Sequence, residues 1–124
     1  MFLLFHKTDF LLSNDLDTLL ANFFASRIKN KKLVYDSHEY FTEVPELVNR
    51  KRTQNIWLKI EKFILPKIKH CYTVCNSIAE IYNKKYKIDM KVVRNVPLCI
   101  ENKDLPKIEK KETRKIIIYQ GAIN

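Results

Sequence analysis

Glycine is almost missing from this chain: Gly121 is the only one in 124 residues, where average usage would give ~9. A complete phosphate-binding α/β domain uses several glycines for tight turns and for close backbone approach to its ligand. The shortage excludes a glycine-rich phosphate loop of either common kind. It points to a helix-rich fold with few positive-φ turns, or to part of something larger. Cysteine is scarce too, and Cys71, Cys75 and Cys99 make an odd count without framework spacing, which excludes a disulfide scaffold. No run approaches the ~20 apolar residues that span a bilayer. The apolar opening Met1 to Phe5 stops at His6-Lys7, without the positive n-region or small-residue cleavage site of a secretory signal. These features predict free thiols in a reducing, cytoplasmic compartment, with Cys71 and Cys75 as plain core residues. No metal site is expected, because His6 and His70 have no partner at ligand spacing. No serine sits in a nucleophile-elbow context.

What is present reads as a folded domain. Hydrophobic residues make up 46% and charged residues 30%, ordinary for one small globular unit and too short a chain for two complete ones. The net charge of +9 is uneven: residues 1–46 sum to −2 and residues 47–124 to +11. Such asymmetry hints at an anionic partner for the second part. General lysine enrichment on solvated faces is the simpler account.

Along the chain, strand-like and helix-like segments alternate. Asp9 to Ser13 is a short apolar strand closed by Asn14-Asp15, either of which can cap the next helix. Leu16, Leu19, Leu20, Phe23, Phe24 and Ile28 recur at helical spacing, and cations at Lys29, Lys31 and Lys32 close that helix. Leu33 to Tyr35 is the next strand, running into Asp36-Ser37-His38-Glu39. A polar, acidic stretch to Glu46 precedes a longer amphipathic helix over 53–65. Ile56, Trp57, Ile60, Phe63 and Ile64 are expected on its apolar face and Lys59, Lys62 and Lys69 on another, with Pro66 ending it. That basic helix could lie on anionic lipid or simply pack on the sheet as a crossover. Cys71 to Val74 is a third strand. Ser77 and Glu80 form a capping-box pattern opening a helix to Tyr86 that turns Ile78, Ile81 and Tyr82 inward. Lys91 to Val93 is a fourth strand. Residues 99–114 read as a charged connector, and Ile116 to Tyr119 as a further apolar strand. The order predicts an α/β fold with a parallel sheet and crossover helices.

In a parallel sheet, ligands collect beyond the carboxyl ends of the strands. Asn14-Asp15, Asp36 to Glu39 and Arg94-Asn95 fall there. His38 lies between Asp36 and Glu39 in sequence, and carboxylates approaching it in space would favour its protonated form. Residues at such positions also serve as turn and cap formers.

The strings NDLDTLLA (14–21), LVYDSHEYFTEVPEL (33–47), KVVRNVP (91–97) and IIIYQGAIN (116–124) together resemble bacterial group 1 glycosyltransferases, the retaining nucleotide-sugar type with two stacked Rossmann-like domains (GT-B). The resemblance covers nearly the whole chain and is most specific in the 36–47 stretch. It implies that residues 1–98 form half of an acceptor-side N-terminal domain, 99–114 the connector and 115–124 the start of the donor domain. It also implies roles: His38 at the donor sugar, Asn14, Asp15 and Glu39 shaping the acceptor side, and Gly121 near the donor phosphates. The nucleotide sugar would be a co-substrate, with no cofactor or metal and no nucleic acid. The acceptor would be a glycan or a lipid-linked intermediate, with peripheral contact to the inner face of the membrane. The family's basic pair for the leaving diphosphate and its Glu-x7-Glu pattern are absent from these residues, so the resemblance implies that this chain alone is inactive. The rival expectation is a small basic module that binds nucleic acid or anionic membrane.

Overall fold

A computed structural model of the protein describes residues 2–97. The connector 99–114, the strand expected at 116–119, Cys99 and Gly121 lie outside the described residues. After a short helix α1 (Phe2–Phe5), the chain runs β1 (Phe10–Asn14), α2 (Asp15–Ile28) and β2 (Lys32–Ser37). A 3-10 turn (Phe41–Glu43) and helix α3 (Pro45–Val48) lead into α4 (Lys51–Ile64). A second 3-10 turn (Leu65–Lys67), β3 (His70–Thr73), α5 (Asn76–Tyr86) and β4 (Lys91–Val92) follow. The expected α/β fold is present: the four strands form one all-parallel sheet in the order β1-β2-β3-β4, a Rossmann-like arrangement with helical crossovers.

Because strand order follows chain order, crossovers of one hand set their helices on one face of the sheet. The register shows which face. Leu11 pairs with Leu33, Ser13 with Tyr35, Tyr35 with Cys71, and Ser37 with Thr73; all of these are buried. Leu16, Leu19 and Phe23 of α2, Ile64 at the end of α4, Leu65 just after it, and Ala79, Tyr82 and Tyr86 of α5 complete this core. The opposite face carries Phe10, Leu12, Asn14, Lys32, His70 and Lys91, which are exposed, beside half-buried Val34 and Tyr72 and buried Asp36; its edges are less covered than is usual for a parallel sheet.

The scarcity of glycine is met in an unexpected way. Three positive-φ positions are occupied by Asp15, Asn30 and Lys87. Aspartate and asparagine tolerate this region best among non-glycine residues. Lys87 terminates α5 in a left-handed cap where glycine is the usual choice.

Three expected details are corrected. The inward stripe of α4 runs through Gln54, Trp57, Glu61 and Ile64, while Ile56 and Phe63 are exposed. The rotation is possible because the buried polar residues are partnered. Gln54 Nε2 donates to the Thr42 carbonyl at 2.7 Å, and Glu61 Oε1 accepts from Lys85 Nζ at 3.1 Å and from the Tyr86 hydroxyl. On α5, Ala79, Tyr82 and Tyr86 point inward and Ile81 is exposed. Neither expected helix cap forms: α2 and α5 start at Asn14 and Cys75 without a side-chain cap hydrogen bond. The Asp15 side chain is used elsewhere, and Ser77 Oγ lies 3.2 Å from Cys75 Sγ.

Candidate functional site

The carboxyl ends of β1, β2 and β3 bring together residues distant in sequence. Asp15 follows β1 through a sharp turn with φ 56°, stabilised from behind by Thr18 Oγ1, which donates to the Asn14 carbonyl at 2.7 Å. That turn aims the Asp15 carboxylate across to β2, where Oδ1 accepts the backbone N–H of His38 at 3.0 Å. The register places Asn14 beside Asp36. Asp36 is largely buried, and its Oδ2 lies 3.0 Å from Nε2 of the half-exposed His38. Below them, Thr73 Oγ1 donates to the Ser37 carbonyl at 2.7 Å, and Ser37 Oγ donates to the Glu39 carbonyl at 2.8 Å. The loop carrying His38 is therefore tied to three strands.

Asp36 and Asp15, not Asp36 and Glu39, hold His38. Glu39 is exposed and contributes its backbone carbonyl. Asn14 is exposed at the strand end, within the same rim. Gly121 lies outside the described residues. With Nε2 committed to Asp36, Nδ1 of His38 is the ring nitrogen left for a ligand. Tyr72, the register partner of Asp36, has its phenol raised above the ordinary value by burial and then by its hydrogen bond and charge interaction with Asp36.

Beside His38 lies an open hollow of about 590 Å³, lined by His38, Val74, Cys75, Arg94, Asn95 and Val96. Cys75 is not the core residue expected from sequence. It stands at the amino end of α5, and its thiol is lowered by the hydrogen bond with Ser77, by the Ile78 backbone N–H and by the charge of Arg94. Cys71 does behave as a core residue, its thiol pushed up to about 11, chiefly by burial. Among the described residues no group of three His, Cys, Asp or Glu side chains could hold a metal ion, and no helix is long and apolar enough to cross a membrane.

Sequence reading missed the contact of buried Glu61 and Tyr86 with Lys85 and its link to the His38 loop. Lys85 Nζ also donates to the Tyr40 hydroxyl at 3.0 Å, two residues after His38. Although partial burial pulls the Lys85 ammonium down, hydrogen bonds with Tyr40 and Tyr86 and the charge of Glu61 leave it above the ordinary lysine value. The spacing Trp57-Glu61-Ile64 on one helical face was the available signal.

With this geometry described, comparison with known proteins adds no relative: no family model, curated protein or solved structure matches the chain.

Proposed function

We propose that this chain is the acceptor-side part of a retaining glycosyltransferase, which moves a sugar from a nucleoside-diphosphate donor to a glycan or lipid-linked acceptor. The observation that supports this reading is His38. It is held through its ring by Asp36 and through its backbone by Asp15, at the strand ends where open α/β sheets bind ligands. In this reading His38 presents Nδ1 toward the donor sugar, and Asn14, Asp15 and Glu39 form the acceptor rim. Departure of a diphosphate requires fixed positive charge at the leaving oxygen. Arg94, across the hollow from His38, is one such group. Further cations would come from a donor domain.

The test is a titration of the 124-residue chain, followed by amide and imidazole NMR, with glycan and lipid-linked acceptors. The expected result is shifts centred on Asp15, His38, Cys75 and Arg94, weakened at least tenfold by His38→Ala. Shifts absent from this rim, or insensitive to His38→Ala, would remove the reading. Salt-sensitive binding of duplex DNA in their place would favour the basic-module rival.

A further inference from the structure

A second cavity lies at the opposite end of the sheet, where the strands begin. It measures about 390 Å³ and is lined by Phe23, Ser26, Arg27, Asn30, Lys31, Lys32, Leu33, Lys67, Ile68, Lys69 and His70. Phe23, Leu33 and Ile68 form its apolar floor. Its rim holds five permanent cations from four places in the fold: the end of α2, the turn into β2, the 3-10 turn after α4, and the approach to β3. No aspartate or glutamate lines it, and none of the five has a carboxylate partner among the described ion pairs.

Helix ends explain only some of this charge. The C-termini of α2 and α4 both favour cations, but that effect fades beyond the last turn. It accounts for Arg27, stacked on the Phe23 ring at 5.2 Å, and for Lys67, whose Nζ donates to the Phe63 carbonyl at 2.6 Å. Lys31, Lys32 and Lys69 lie past those turns and are exposed. A sphere of this cavity's volume is roughly 9 Å across, comparable with the ~8 Å screening length at physiological ionic strength. Cations that line the cavity therefore act on one another across it, and an anion placed within it would be attracted by several of them together.

We propose that this cavity is a binding site for a compact, multiply charged phosphate group, distinct from the His38 rim at the other end of the strands. A single phosphate would leave most of the rim charge uncompensated, whereas a chain of phosphates fits both the volume and the spread of cations. The same chemistry is offered by soluble polyphosphorylated ligands and by lipid headgroups that carry several phosphates.

The experiment is isothermal titration of the 124-residue chain at 0.15 M salt with inorganic tripolyphosphate, and in a second arm with vesicles containing phosphatidylinositol bisphosphate. Saturable tripolyphosphate binding, weakened at least tenfold by Lys32→Gln/Lys69→Gln, is the expected result and assigns a soluble ligand. Vesicle binding with the same dependence, without tripolyphosphate binding, assigns a lipid headgroup. The pair Lys59→Gln/Lys84→Gln removes equal charge outside the cavity and is expected to change affinity less than twofold. Should the Lys32/Lys69 variant lose its cooperative thermal transition, Lys31→Gln replaces it with the same expected direction. Equal weakening by the cavity and control pairs, or no saturable binding in either arm, would overturn the proposal.

Discussion

The two described thiols should differ sharply in reactivity, and the structure fixes by how much. Cys71 is 5% exposed, with its pKa near 11; Cys75 sits at the start of α5 with its pKa below the ordinary 9.0. At pH 8 a thiol of pKa 11 is ~0.1% ionised and one of pKa 9 is ~10% ionised, about a hundredfold gap in thiolate. The more basic thiolate is intrinsically more nucleophilic, with a Brønsted slope of ~0.5, which recovers about tenfold. A factor of about ten therefore survives from ionisation alone, and the burial of Cys71 widens it. The assay is modification by a chromogenic disulfide reagent on a Cys99→Ser background, read as two phases. One thiol should react at least tenfold faster, and Cys75→Ser should abolish that phase. Equal rates in the folded protein, or a fast phase that survives Cys75→Ser, would refute the reasoning.

Other outcomes follow from single groups. Lys87→Gly relieves a left-handed residue at the end of α5 and should stabilise the fold by about 1 kcal/mol, seen as a rise of several degrees in the thermal midpoint. Tyr86→Phe removes the hydroxyl that donates to buried Glu61 and should cost about 1–3 kcal/mol. Denaturant melts of the variant and the parent measure the loss. Cys71 keeps its proton to about pH 11 in the folded state, whereas an unfolded thiol loses it near 9. The unfolded chain thus binds fewer protons between these values, and stability must fall as pH rises through that window. Melts at pH 8, 9, 10 and 11 should show the fall, and it should be shallower in Cys71→Ala.

Much of the fold was legible because hydrophobic runs and turn residues alternate along the chain. Each described strand lies within one or two residues of its expected span, since runs such as Leu33 to Tyr35 have no other stable use beside amphipathic segments. The rotation of α4 was not legible. Periodicity assigns Ile56 and Phe63 inward, and only the tertiary partners Lys85, Tyr86 and Thr42 explain why Gln54 and Glu61 are buried instead. Of the candidate site, the strand-end position of His38 and Asp36 followed from the pattern. The grip of Asp15 on the His38 backbone did not, because it depends on a positive-φ turn that spacing does not encode. Cys75 was misread for a related reason: the strand ends at Thr73, so Cys75 falls on the helix start.

The strand order has a consequence for how the molecule is made. Each of the four described strands pairs with the strand next to it in the chain, so none of these four waits for a partner synthesised much later. As β2 leaves the ribosome, β1 and α2 are already available, and β3 and β4 can each be added to an existing template. Loop closure then costs only the entropy of one crossover at a time. Assembly can proceed as a sequence of strand additions from the amino end, with β1–α2–β2 as the seed.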